Sequence, residues 1–462
     1  MSELFAPGEV ARRAGGRSVL ALSAGIQAVC IDSRQVQPGT LFVPLPGTRT
    51  DGHEHLADAL ARGAAAVLVE RRRWRKLAPA LERRARETGA GVILVPSPLK
   101  ALQALARAHL RRFPALVRVG VTGSSGKTTT KELVAGILSR GFPIAASEGN
   151  LNSEIGLPLA VFQVGSGQRY AVFEMGINRP GEMDVLADIA RPDCALITNI
   201  GTAHIGPLGG QEGIAREKKK IFRWFDGRQK AFLFEGDRYY AYLTRGVRGT
   251  VIPFGPRSTK GFEGSQDLGL DGTLIRWEGL RIRFPLFGAH NLANALAAIS
   301  VASELGASAS AVQQALEAAA PLPGRSQLLR GEPTVIQDCY NANPDSMREL
   351  LEFVKPLAWE GRKIAVLGSM LELGERSEEE HRSLGAAVAR AGFDVVLLFG
   401  REMEEAYREM RRLGYPGLAE WTADFAALRG RLLALVEPSD LVVIKGSRGV
   451  ELERLVPELI EA

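Results

Sequence analysis

Cysteine is scarce in this sequence: Cys30, Cys194 and Cys339 are the only three in 462 residues. Three thiols cannot build a disulfide framework, which suits a reducing compartment. Long apolar runs are missing as well. No window nears the roughly 20 consecutive apolar residues of a membrane span, so none is expected. The opening segment Met1 to Pro7 has neither the basic start nor the apolar core of a secretory signal. A cytoplasmic protein is the expectation. A large excess of one sign of charge is also lacking, with 58 Lys plus Arg against 52 Asp plus Glu and a net of +6. A basic balance is one footprint of a nucleic-acid binder, but here the excess is spread along the chain. Its densest run, Arg71 to Lys76, leads into an Arg- and Glu-rich stretch that reads as a solvated helix face. No nucleic acid is expected as partner, because an anionic small-molecule substrate accounts for the sign equally well.

What is present is ordinary for a globular chain that buries real cores: 45% hydrophobic and 24% charged residues. The length corresponds to about three domains, and the residue pattern divides the same way. Residues 1–96 carry short apolar runs among Gly/Pro turns and read as a small α/β domain. From 97 to 319, strands and helices alternate: Val117 to Thr122, a helix from about Lys127 to Ser139, Ala171 to Glu174, a helix near 182–190, and Ala195 to Asn199. That alternation implies a parallel sheet. A β-rich stretch over 231–286 and an Ala-rich helix over about 290–305 follow. From 320 to 462 the pattern restarts with the runs at Lys363, Asp394 and Leu441, which end at Gly368, Gly400 and Gly446. Glycine there either lets a ligand approach the backbone or only punctuates a turn; both readings stand. The fold class is α/β in three domains, with the parallel-sheet P-loop domain central and a Rossmann-like domain last.

The sharpest motif is Gly120-Val-Thr-Gly-Ser-Ser-Gly-Lys-Thr-Thr-Thr130, between a strand and a helix. Backbone N–H groups of such a turn, backed by a helix N-terminus, cradle polyphosphate. The loop Gly123, Ser124, Ser125, Gly126 would hold the phosphates, with Lys127 neutralising them. The Thr128 hydroxyl would ligate Mg²⁺, followed by Thr129. Val121 stands where the standard motif has its first glycine, so this is a shorter variant. ATP and Mg²⁺ are therefore the expected ligands.

Further hard ligands are needed for the metal. Glu174 at a strand end and His204 after the next strand should reach the same sheet edge; a lone His is, by itself, more often structural. Lys218 sits in the middle of the helical face formed by Ile214, Ala215, Ile221 and Phe222, while Lys219 and Lys220 rotate toward solvent. Either Lys218 snorkels out, the reading that geometry alone favours, or it loses its proton and can be modified into an anion.

Taken together, these stretches resemble the Mur ligases of peptidoglycan synthesis, over nearly the whole chain. Asp32-Ser33-Arg34, Pro38-Gly-Thr-Leu-Phe-Val43 and Asp51-Gly-His53 are similar to the family's UDP-substrate domain. Thr122 to Glu132 resembles its ATP loop, and Gly149-Asn-Leu-Asn-Ser-Glu-Ile-Gly156 an acceptor-side loop. Gly288-Ala-His-Asn-Leu-Ala-Asn-Ala295 resembles the adenine-side helix, and Pro323-Gly-Arg325 the hinge whose Arg meets the nucleotide. Asp338 to Met347, Val366 to Gly374 and Lys445-Gly-Ser-Arg448 complete the set. The resemblance implies ATP contacts at Asn291, Asn294, Arg325 and Asp338. It implies substrate contacts at Ser33, Arg34, Asp51, Asn150, Asn152, Tyr340, Asn341 and Asn343. It further implies a catalytic group of Lys127, Glu174, His204 and Lys218, the last as a CO₂-derived carbamate that joins Thr128, Glu174 and His204 on Mg²⁺. Two departures stand out: Ser369 where relatives carry Asp, and Lys220 where they often have Glu.

The implied reaction adds D-alanyl-D-alanine to UDP-N-acetylmuramoyl-tripeptide at the expense of ATP through an acyl phosphate, with a monomer expected. Two readings compete. A sister ligase would use another amine, either a diamino acid or the glutamate of a folate-type enzyme. A basic P-loop protein would bind nucleic acid with strong salt dependence.

Overall fold

The structure is a computed structural model that describes residues 3–47 and 50–460; Met1 and Ser2, the start of the segment tested for a secretory signal, lie outside them. Four sheets organise the described chain. The first runs in the order Arg17–Leu20, Gly91–Val95, Ala66–Glu70, Thr40–Phe42, Ala28–Cys30. Its Arg17–Leu20 edge is antiparallel and the rest parallel. The helix Pro98–Leu110 leads out of it, started by Ser97, whose Oγ accepts the Lys100 N–H at 3.4 Å, with proline in its first turn.

The second sheet is parallel throughout: Thr250–Phe254, Lys230–Phe234, Cys194–Ile197, Val117–Thr122, Tyr170–Glu174, Ile144–Ala146. Val117–Thr122 is central, and the helix Lys127–Ser139 that follows it buries Leu133, Val134, Ile137 and Leu138 against the sheet. The helices predicted over 127–139 and 182–190 coincide with those observed. The β-rich stretch becomes two parallel strands and a separate antiparallel meander, Phe262–Asp267, Thr273–Trp277 and Leu280–Phe284.

The last sheet runs Gln327–Leu329, Thr334–Asp338, Leu441–Lys445, Lys363–Gly368, Val395–Phe399, Leu418–Thr422. Only Gln327–Leu329 is antiparallel. Five parallel strands make the predicted doubly wound sheet. Its edge members escaped the sequence reading because Leu418–Thr422 (Leu-Ala-Glu-Trp-Thr) is half-exposed and carries no continuous apolar run.

The glycines at its strand ends serve packing. A Cβ on Gly368 or Gly446 would press on Leu452 Cδ1 at 2.9 and 3.0 Å, and one on Gly400 would collide with Ser369 Oγ. These contacts support the turn-and-packing reading over ligand approach. Ser369, the departure from the family's Asp, is buried against this loop; its N–H donates to the Phe399 carbonyl at 3.0 Å.

The last sheet's unit docks on the central one. Thr202 donates its N–H and hydroxyl to Asp345 Oδ2 at 2.6 and 2.7 Å, and Phe287 stacks on Phe353 at 4.5 Å. No described helix is long and apolar enough to cross a membrane.

Candidate active site

Local chain geometry at the end of Val117–Thr122 dictates the phosphate loop. Gly123 and Gly126 have φ of 154° and 74°. A Cβ would lie 1.7 Å from Thr198 Oγ1 at the first and 2.2 Å from Asn294 Oδ1 at the second. Only glycine lets the loop turn this tightly. Residues after the neighbouring strand brace it: the Ser125 N–H donates to Asn199 Oδ1 at 3.0 Å, Thr198 Oγ1 to the Ser125 carbonyl at 2.6 Å, and the Gly201 N–H to Ser124 Oγ at 2.8 Å. These bonds tie the loop to the residues that follow the neighbouring strand.

Two lysines converge on one carbonyl. Lys127 Nζ and Lys218 Nζ both donate to the Gly123 oxygen, at 3.0 and 2.8 Å. Burial, followed by the neighbouring Lys127 charge, holds Lys218 well below the usual ammonium range. Burial also lowers Lys127, partly offset by Glu174. Lys218 is 2% exposed, so it does not snorkel. Lys219 does reach outward, to the Tyr242 and Arg245 carbonyls at 2.6 and 2.5 Å. Lys220 also lies off the apolar face, one-third exposed. It bridges Asp184 at 2.8 Å and Glu217 at 2.7 Å, because the helix Gln211–Lys219 tightens to a 3₁₀ turn at Lys220–Phe222 and swings it toward the neighbouring helix.

Glu174 is buried, with Oε1 accepting from Asn152 Nδ2 at 2.7 Å and Oε2 without any partner. An orphaned buried carboxylate oxygen and the Thr128 hydroxyl, lining one cleft, are donors of the kind a hard dication takes. Among the described residues there is no cluster of three or more His, Cys, Asp or Glu. Mg²⁺ here would therefore rest on one carboxylate, a hydroxyl, His204 and the oxygens of its substrate, as this ion commonly does. His204, at φ 59°, is held through Nδ1 by Glu372 from the last sheet's unit. Burial lowers its pKa.

One cleft of about 440 Å³ gathers the expected residues from both sheets. Ser124, Ser125, Gly126, Lys127, Thr128, Thr129, Asn150, Asn152, Glu174 and His204 line it from the central unit, with Asn291 and Asn294 from the helix Ala289–Glu304. Arg325, Asp338, Tyr340, Asn341 and Asn343 line it from the other side. Asp338 pairs with the buried Lys445 and accepts the Ser326 N–H at 3.0 Å. Asn343 is also the N-cap of Pro344–Val354: its side chain accepts the Ser346 N–H at 2.9 Å, so its amide oxygen is committed to the helix. Gly123 and Lys218 lie beneath the cleft wall rather than in it.

Ser33, Arg34 and Asp51 are elsewhere, on loops that follow the parallel strands Ala28–Cys30 and Thr40–Phe42 of the first sheet. Arg34 forks onto Asp32 at 2.9 and 2.7 Å, Ser33 is buried beside Asp58, and Asp51 accepts from the His53 N–H at 3.0 Å and pairs with Arg73.

Three residues that sequence reasoning missed matter here. The Lys131 side chain is fully buried; its Nζ reaches the Ser147 carbonyl at 2.6 Å, and Ser147 Oγ accepts the Glu174 N–H at 3.3 Å. Lys131 thus ties the phosphate helix to the strand end bearing Glu174. Its neighbours Thr130 and Glu132 gave no sign of burial. Glu349 lines the cleft, with its carboxyl pushed up to about 7 by burial, and burial pushes His290 down to about 4.

Fold and site define a nucleoside-triphosphate-binding protein whose cleft is closed by a second parallel-sheet unit. Family models agree: the Mur ligase family catalytic domain matches residues 25–110, the Mur ligase middle domain 121–302, and the Mur ligase glutamate ligase domain 324–448. The UDP-N-acetylmuramoyl-tripeptide–D-alanyl-D-alanine ligase of Treponema pallidum is 40% identical over 446 residues, 94% of each chain. A crystal structure of MurF from Acinetobacter baumannii superposes with a TM-score of 0.88 at 29% identity, covering 99% of each chain. MurF ligase from Thermotoga maritima in complex with ADP gives 0.77 at 28%, covering 94% of this chain and 96% of that one. This chain belongs to the Mur ligase family.

Proposed function

We propose that the chain is the ATP-dependent ligase that adds D-alanyl-D-alanine to UDP-N-acetylmuramoyl-tripeptide, releasing ADP and phosphate in cytoplasmic peptidoglycan precursor synthesis. The observation that carries this reading is the joint cleft: phosphate loop and Glu174 on one wall, Asp338, Tyr340 and Lys445 on the other. The likeness to the Treponema enzyme over 94% of both chains supports the same activity. Residues 1–96 would hold the UDP moiety through Ser33, Arg34 and Asp51. Residues 97–319 would hold ATP, and 320–462 would close on it as a lid. The working unit is a monomer, with no nucleic acid as partner.

An amide does not form from a carboxylate and an amine in water without activation. The tripeptide's terminal carboxylate oxygen attacks the γ-phosphorus, the bond to the bridging oxygen breaks, and ADP leaves. The free amine of D-alanyl-D-alanine then attacks the acyl carbon, and the tetrahedral adduct expels phosphate. Protein groups do little covalent work in this; they position reactants and neutralise charge. Lys127 and the loop N–H groups hold the phosphates. Asn150 and Asn152 would hold the peptide end near Glu174. Mg²⁺, when bound, screens the repulsion between carboxylate and γ-phosphate, and Thr128, Glu174, His204 and Lys218 would hold it. Burial, which lowers the Lys218 pKa well below the usual ammonium range, favours capture of CO₂ as a carbamate with loss of one proton, which would give that site its second anion. The lid excludes water, which would otherwise hydrolyse the acyl phosphate.

The test is phosphate release from ATP with UDP-N-acetylmuramoyl-tripeptide, comparing D-alanyl-D-alanine, diamino acids and glutamate as acceptors. Turnover with D-alanyl-D-alanine alone is expected; preference for any other amine rejects the reading.

A further inference from the structure

The helix Trp74–Thr88 and the 3₁₀ turn Arg71–Arg73 before it carry a disproportionate share of the charge. The basic excess reads in the sequence as spread along the chain, but the balance is local. Residues 71–88 hold eight basic side chains against two glutamates, a net of +6 that equals the net of all 462 residues. Packing decides where this charge faces. Alternate residues of the first sheet point to opposite sides. Ala66, Leu68 and Ile93 pack toward the helix Pro98–Leu110 and toward Leu159 and Phe162 of the central unit. Val67, Val69 and Val92 pack toward Leu81 and Ala85 of Trp74–Thr88. The charged helix therefore covers the face of the sheet turned away from the central unit.

With Leu81 and Ala85 inward, helical periodicity turns Arg75, Lys76, Pro79, Arg83 and Arg86 outward, and all five are exposed. The two glutamates lie on the flanks. Glu82 holds Arg86 at 3.2 Å and Glu87 holds Arg84 at 3.2 Å, with Arg83 only at 4.0 Å. Arg72 and Arg73 are engaged by Glu70. Among the described residues Arg71, Arg75 and Lys76 form no ion pair, unlike Arg408 and Arg412, which fork onto glutamates.

We propose that this face docks on an anionic membrane surface, as a peripheral contact held by charge. The inference goes beyond the ligase reading and does not depend on it. The outward line lacks any large apolar or aromatic side chain, because Trp74 and Leu77 pack inward. A protein partner needs such anchors at the centre of its interface. Single-stranded nucleic acid needs aromatic faces to stack on, and insertion into the bilayer needs an apolar face. A duplex is anionic too, but this helix lies flat on its sheet with the inner face committed and cannot enter a groove. A plane of anionic headgroups needs only positive charge, and each Lys or Arg near it adds about fivefold in affinity. The 15-residue helix runs about 22 Å, enough to lie across several headgroups.

The test sediments the full-length protein at low salt with vesicles of phosphatidylcholine, with or without phosphatidylglycerol. Wild type should pellet with the anionic vesicles and stay in solution with the neutral ones. Salt at about 1 M, where charges act over only about 3 Å, should release it. Arg75→Gln, Lys76→Gln and Arg83→Gln combined should weaken binding by about 100-fold. The charge-conserving set Arg75→Lys, Lys76→Arg and Arg83→Lys should bind as wild type. All three proteins should share one unfolding midpoint, since the substituted side chains are exposed. Equal pelleting with neutral vesicles, no pelleting with anionic ones, or wild-type binding by the glutamine variant would overturn the proposal. Displacement of wild type from anionic vesicles by a short DNA duplex at equal phosphate concentration would overturn it as well, and assign the face to nucleic acid.

Discussion

The central and C-terminal sheets both turn the carboxyl ends of their parallel strands toward one cleft, and they use those ends differently. The central sheet presents backbone: Gly123 and Gly126 fold the chain into a tight turn at the strand end, and Thr198, Asn199 and Asn294 lock it. The C-terminal sheet presents side chains, with Asp338 and Lys445 at adjacent strand ends in register, while its glycines make room for Leu452 and Ser369. Glycine at the same kind of strand end thus shapes a tight loop at the cleft in one sheet and makes room for packing in the other.

That contrast can be broken by substitution. The largest effect is expected for Lys127→Ala, which removes the cation from the backbone cradle; single-turnover phosphate transfer should fall by about 10³-fold or more. Lys218→Ala should lose about 10²-fold in kcat while Lys219→Ala stays near wild type in the same assay, since one side chain meets Gly123 and the other the surface. On the opposite wall, Asp338→Asn, which weakens the pair with Lys445, should raise KM for ATP by about 10-fold with a smaller change in kcat. Gly446→Ala should leave KM for ATP unchanged but lower unfolding stability by about 1–3 kcal/mol through overpacking against Leu452; a weakened ATP affinity instead would put a ligand at that glycine.

The smallest effect concerns Glu349, raised from an ordinary 4.5 to about 7 by burial. A carboxyl raised by folding costs stability as pH climbs from its unfolded to its folded pKa. Glu349→Gln should therefore gain on wild type between about pH 4.5 and 7 and level off above, by roughly 1–3 kcal/mol at most, as read by thermal unfolding across pH. A constant difference would contradict the raised pKa of this carboxyl.

Much of this was legible in the sequence, for identifiable reasons. The phosphate loop declares itself because glycine spacing, lysine and a strand–helix frame are all local. Lys218 was legible as an anomaly on an apolar face, though not its meeting with Gly123, which depends on a contact 95 residues away. The buried tie from Lys131 through Ser147 to Glu174 was invisible, because Thr-Lys-Glu reads as a solvated helix start and only tertiary packing buries the lysine. Lys220 lies off the apolar face, where helical extrapolation placed it; its pair with Asp184, 36 residues away, was not legible.

The central claim, that the cleft phosphorylates a carboxylate before the amine attacks, is tested most directly by isotope transfer. UDP-N-acetylmuramoyl-tripeptide is prepared with heavy oxygen in its terminal carboxylate, and the phosphate released with D-alanyl-D-alanine is analysed by mass. An acyl phosphate requires that each phosphate carry a single heavy oxygen taken from the peptide. Phosphate free of label, with peptide bond formation proceeding at the normal rate, would contradict the account.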